Sequence, residues 1–78
     1  MRFKNILKIN DRNYLKFDVI YDYGKITKIN RMTLLDNEGW AKFKTLSQKD
    51  FKEMFDKSAK DVILDFLENQ DRGTIDSY

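Results

Sequence analysis

The sequence predicts an α+β domain: a four-stranded antiparallel meander followed by a long amphipathic C-terminal helix packed on one sheet face. Three observations carry that expectation. Residues 14–23 alternate apolar and polar side chains with period two. Clusters of turn formers punctuate the first 46 residues, and no proline interrupts them. After Ser47 the apolar residues recur at helical spacing instead.

Each element follows from its own residues. Phe3 to Ile9 mixes apolar and basic side chains, and Asn10-Asp11-Arg12-Asn13 then forms a turn. In the second strand Leu15, Phe17, Val19, Tyr21 and Tyr23 point one way, and Tyr14, Lys16, Asp18, Ile20 and Asp22 the other. Gly24 ends it in a tight turn. Ile26 to Leu35 is β-branched but alternates poorly, which implies a bulge or burial on both faces. Asp36-Asn37-Glu38-Gly39 is the next turn, and Trp40 to Leu46 a fourth short strand. Ser47 followed by Asp50 resembles a capping box. Phe51, Met54, Phe55, Ser58, Ala59, Val62, Ile63 and Phe66 then form one broad stripe. The pattern Ser47-x-x-Asp50-Phe51 repeats eleven residues later as Ser58-x-x-Asp61-Val62. Eleven residues is close to three helical turns, so one continuous helix keeps both segments on one face. Two short helices broken near Ser58 are the alternative. The lack of Gly or Pro at the join favours one. The domain is expected over residues 1–69, with 70–78 a flexible tail.

Seventy-eight residues make one domain, and six Phe, four Tyr and one Trp supply its core. With no Cys there is no disulfide framework, which suits a reducing, cytoplasmic setting. A chain that is 36% charged, without a long apolar run, is expected to be soluble. Its charge is unevenly spread. Residues 1–46 hold ten Lys/Arg against five Asp/Glu, and residues 47–78 five against eight. The first half is therefore basic and the second acidic.

Catalysis is the least supported class. Without His or Cys the chain lacks the usual general base, the thiol nucleophile and the common transition-metal ligands. Asp18 and Asp22 share a strand face but sit roughly 13 Å apart, too far to share a proton or a metal. Asp61, Asp65 and Glu68 read as a solvated helix face, and the three glycines make no phosphate loop. No metal or cofactor is expected.

The open sheet face is the candidate surface. Tyr14, Lys16 and Ile20 face outward if Leu15, Phe17 and Val19 face the helix. Trp40, Lys42 and Lys44 share one face of the fourth strand, and Lys4 and Lys8 one face of the first. Rings interleaved with Lys suit single-stranded nucleic acid, whose bases stack on the rings while its phosphates meet the ammonium groups.

The stretch Tyr14 to Phe55 also resembles the ββββα single-stranded-DNA-binding folds, namely the transcriptional positive-cofactor (coactivator p15-like) group and the Pur-alpha repeat. The resemblance rests on Gly24-Lys25-Ile26 as a Gly-Lys-aliphatic hairpin and on Ile29 with Arg31 as an aliphatic-x-Arg pair. Asn37-Glu38-Gly39 matches an acidic turn, and Leu46-Ser47 with Phe51 a Leu-Ser helix start followed by an aromatic. It implies strand binding by Lys16, Lys25, Lys28, Arg31, Trp40, Lys42 and Lys44, and a dimer built by the helix. The chain departs from that pattern at Lys42-Phe43-Lys44-Thr45, which lacks the glycine such proteins often carry before Leu-Ser.

A second class of function stays open. A short chain rich in Lys, Asn, Ile and Asp also fits a small phage or mobile-element protein that inhibits a host protein, of the anti-CRISPR or other counter-defence type. Val62, Ile63, Leu64, Phe66 and Leu67 nearly encircle the helix end. Such a helix is usually buried on more than one side. Ile63, Leu64 and Leu67 are therefore the expected contact with a partner protein or a second copy.

Overall fold

A computed structural model describes residues 1–77, with side chains described for residues 1–69. The expected tail at 70–78 falls outside the described side chains. The chain forms β1 (Arg2–Asn10), β2 (Asn13–Asp22), β3 (Lys25–Asp36), β4 (Ala41–Phe43), α1 (Gln48–Phe55) and α2 (Ala59–Ser77). The four strands make one antiparallel sheet in the order β1-β2-β3-β4, and the helices cover one of its faces. The α+β class and the meander are as the alternation predicts.

Residues directly opposite in an antiparallel pair share a face. The register therefore assigns the sides. Phe3↔Val19, Asn5↔Phe17 and Leu7↔Leu15 join β1 to β2, and Tyr21↔Ile26, Val19↔Ile29, Phe17↔Met32 and Leu15↔Leu34 join β2 to β3. This is the helix-facing side, and Leu7, Leu15, Phe17, Val19, Ile26, Met32 and Leu34 are all buried there. On β3 the spacing 26, 29, 32, 34 is uneven because Thr27 and Asn30 are extra residues in the ladder. Each such bulge resets the alternation by one position. That explains the poor period of the sequence in this segment. Leu35 is buried too, on the opposite face, so bulging and two-sided burial both occur.

The helical part differs from the single long helix expected. Ser47 caps α1 as its sequence suggests, its Oγ accepting from the Asp50 N–H at 3.1 Å. The helix then stops at Asp56, which takes the left-handed conformation (φ 55°, ψ 33°) and donates its N–H to the Lys52 carbonyl at 2.8 Å. Asp tolerates that conformation better than most residues, so neither Gly nor Pro is needed to end the helix. A second helix starts from Ser58, whose carbonyl accepts from the Val62 N–H at 3.1 Å. The repeat of the capping pattern thus marks a second beginning.

Ala59, Ile63 and Leu67 lie on the inner side of α2 and are buried with Phe51 and Leu46 against the sheet. Phe66 meets Phe17 edge to face at 5.8 Å, and Phe51 packs on Phe55 at 4.9 Å. Phe55, Val62, Leu64 and Phe66 are half-buried at the margin of this core. Of the residues expected at a partner contact, two are interior to this domain and Leu64 lies half-buried at its margin. At 0% and 2% exposure, Ile63 and Leu67 belong to the interior of the domain. Of the apolar residues that nearly encircle this helix, α1 and the sheet bury Ile63 and Leu67 and partly cover Val62, Leu64 and Phe66.

Candidate nucleic-acid interface

The face away from the helices is assembled row by row. Lys8, Tyr14 and Leu35 form one cross-strand row, with Ala41 beyond them. Ile6, Lys16 and Thr33 form the next, then Lys4, Asp18 and Arg31, then Arg2, Ile20 and Lys28. Asp22 and Lys25 close it at the hairpin. Seven cations and two carboxylates thus share one surface. Its apolar members are the exposed Ile6 and Ala41, the half-buried Tyr14 and Ile20, and the buried Leu35.

Both carboxylates are engaged. Asp18 accepts from Arg2 through Nε at 2.8 Å and through Nη2, and from the Asn30 amide at 3.3 Å. The hydrogen bonds from Arg2 hold its carboxyl down at about 2, against burial, with help from Asn30 and from the charges of Arg2 and Lys4. The same pair raises the Arg2 guanidinium above its ordinary value. Asp22 accepts from the Met1 ammonium.

A groove of about 550 Å³ opens in the middle of this face. Its cations are Lys4, Lys16, Arg31 and Lys44, and Thr33, Leu35, Gly39 and Ala41 help to line it. Lys44 lies just past β4, and its carbonyl accepts from Thr33 Oγ1 at 2.9 Å, which fixes that wall. The four cations come from four different parts of the sheet, so only its folding gathers them.

Of the residues singled out from sequence, Tyr14, Lys16, Lys28 and Arg31 lie on this face, and Lys25 at its hairpin end. Lys44 lines the groove. Trp40 is placed differently from expectation. The fourth strand is only three residues long, and Trp40 precedes it, 72% exposed, at the end of a tight turn. Asp36 builds that turn. Its Oδ1 accepts from the Glu38 and Trp40 N–H groups, both at 2.9 Å, and its own N–H donates to the Trp40 carbonyl at 2.8 Å. Lys42 is the extra residue where Leu34 pairs with Phe43 and Leu35 with Ala41. The alternation breaks there, and Lys42 instead donates through Nζ to Asn13 Oδ1 at 3.0 Å. It does not line the groove that Lys44 lines. Arg2 is the member that the sequence reading omits, although the alternation Arg2, Lys4, Ile6, Lys8 marks it as co-facial with Lys4 and Lys8.

Among the described residues no helix is long and apolar enough to cross a membrane. No group of three acidic residues among them could hold a metal ion. Comparison with protein-family models, with curated proteins and with solved structures finds no match to this chain.

Proposed function

We propose that this domain is a non-enzymatic binder of single-stranded nucleic acid, which it takes across the open face of its sheet. The observation that carries the reading is the groove ringed by Lys4, Lys16, Arg31 and Lys44. A polyanion gains from four convergent cations, and its affinity comes largely from released counterions. Trp40 stands on a hydrogen-bonded turn next in sequence to the groove residues Gly39 and Ala41. An exposed indole offers a stacking surface to any base, because every base has a π-face. Little sequence preference is expected.

Titrating a fluorescent oligonucleotide at low salt tests the reading. Binding in the micromolar range is expected, and none below roughly 100 μM would refute it. The competing reading, a phage or mobile-element inhibitor of a host protein, expects no oligonucleotide shift and co-purification with one specific protein.

A further inference from the structure

The outer edge of β1 is the longest unpaired backbone among the described residues. β1 runs for nine residues at the margin of the sheet, and β2 is the one strand paired with it among the described residues. Its hydrogen-bonding phase follows from Met1, which both donates to the Tyr21 carbonyl at 3.0 Å and accepts from the Tyr21 N–H at 2.7 Å. Mutually bonded pairs recur at every second residue of an antiparallel ladder. Phe3, Asn5 and Leu7 therefore bond to β2, and the N–H and C=O groups of Arg2, Lys4, Ile6 and Lys8 turn outward. The Ile6 N–H agrees, since its partner is the Asn5 Oδ1 at 2.8 Å and not β2.

The residues with outward backbone groups are also those whose side chains lie on the open, basic face. An added strand would meet Arg2, Lys4 and Lys8 there, with the exposed Ile6 between them. A second copy of β1 is a poor occupant. Antiparallel pairing centred on Lys4, Asn5 or Ile6 sets Lys4 against Lys4, Arg2 against Lys8, or Lys4 against Lys8. Like charges directly opposite are destabilising. Acidic side chains complement Lys4 and add to the looser Lys8–Asp11 contact at 3.5 Å, while Arg2 already holds Asp18.

We infer that the β1 edge accepts an acidic, extended peptide segment as a fifth antiparallel strand. Main-chain hydrogen bonds to Lys4, Ile6 and Lys8 supply the affinity, and carboxylates on alternate residues supply the selectivity. The Asn5 side chain shields the Ile6 N–H until the incoming strand displaces it. This site uses the backbone edge and stands or falls separately from oligonucleotide binding by the groove.

The test uses the full chain and a labelled synthetic peptide with Glu at alternate positions and Thr or Val between. Saturable binding is expected, with amide hydrogen exchange slowed at Lys4 and Lys8. The same peptide, N-methylated at the residues whose N–H groups face β1, keeps its charge and should not bind. Lys4→Pro removes one outward N–H while sparing the β1–β2 ladder, as proline on an edge strand can. Compared with Lys4→Ala it should weaken binding by a further three- to tenfold or so, the loss of about one hydrogen bond. Equal binding of the N-methylated peptide would reveal charge attraction alone and overturn the inference. So would unchanged exchange at Lys4 and Lys8, or light scattering that finds β1 occupied by a second copy.

Discussion

Replacing Lys16 with Ala tests the groove most directly. Lys16 sits on the central strand β2, exposed, between Ile6 and Thr33, and its side chain forms no ion pair among the described residues. With four cations at the groove, log affinity should fall with log salt at a slope of about −2.8, from about −0.7 per contact on single strands. Raising salt from about 50 to about 200 mM would then weaken binding about fiftyfold. Removing one contact leaves a slope of about −2.1 and a loss of about twentyfold over the same range. Fluorescence anisotropy of a labelled oligothymidylate at four or five salt concentrations resolves that difference. Lys60→Ala provides the control, because Lys60 is exposed on α2 across the domain from the groove. If Lys60→Ala flattens the slope as much as Lys16→Ala does, the charge acts without a site and the groove is not where the strand lies.

Trp40→Ala should weaken oligonucleotide binding by about 1–3 kcal/mol per stacked base at every salt concentration, leaving the slope unchanged; parallel lines in the same titration check it. Phe51, with 0% exposure, should cost about 3–5 kcal/mol when cut to Ala, and the half-buried Phe55 clearly less, as read by urea denaturation followed by circular dichroism. Ile63→Glu should unfold the domain, because it buries a charge without a partner; a folded variant with altered oligomeric state would return Ile63 to an interface. Asp18 has its carboxyl lowered from 3.8 to about 2 in the folded chain, so the stability it lends is present above about pH 4 and lost as pH falls toward 2. Asp18→Asn should flatten that part of a melting-temperature profile, and an unchanged acid limb would refute the pairing.

Much of the sheet is legible in the sequence because burial on one face forces alternation. Leu15, Phe17 and Val19 against Lys16, Asp18 and Ile20 is a pattern that only a half-buried strand explains. Two places hide their structure. At Thr27 and Asn30 the bulges shift the inward face, and composition does not mark which residue is extra. At Asp56 the chain turns through a left-handed conformation without glycine, so the helix break leaves only the Ser58-x-x-Asp61 capping pattern as its trace. The candidate site is legible to the extent that strand parity is. Lys16 and Arg31 follow from it, while at Lys42 a bulge interrupts the parity. Arg2 and Lys4 join the surface through register with Ile20 and Asp18, which a single sequence does not print.

The exposure of Trp40 has a practical side. It is the only tryptophan of the chain, and 72% of its surface already meets solvent in the folded state. Its emission should therefore change little when the protein unfolds, making intrinsic fluorescence a poor monitor of denaturation. The same exposure leaves nearly all of the indole available to be quenched or desolvated by whatever lands on it. A titration followed at the tryptophan band would then report contact at the β3–β4 turn with almost no background from the rest of the fold.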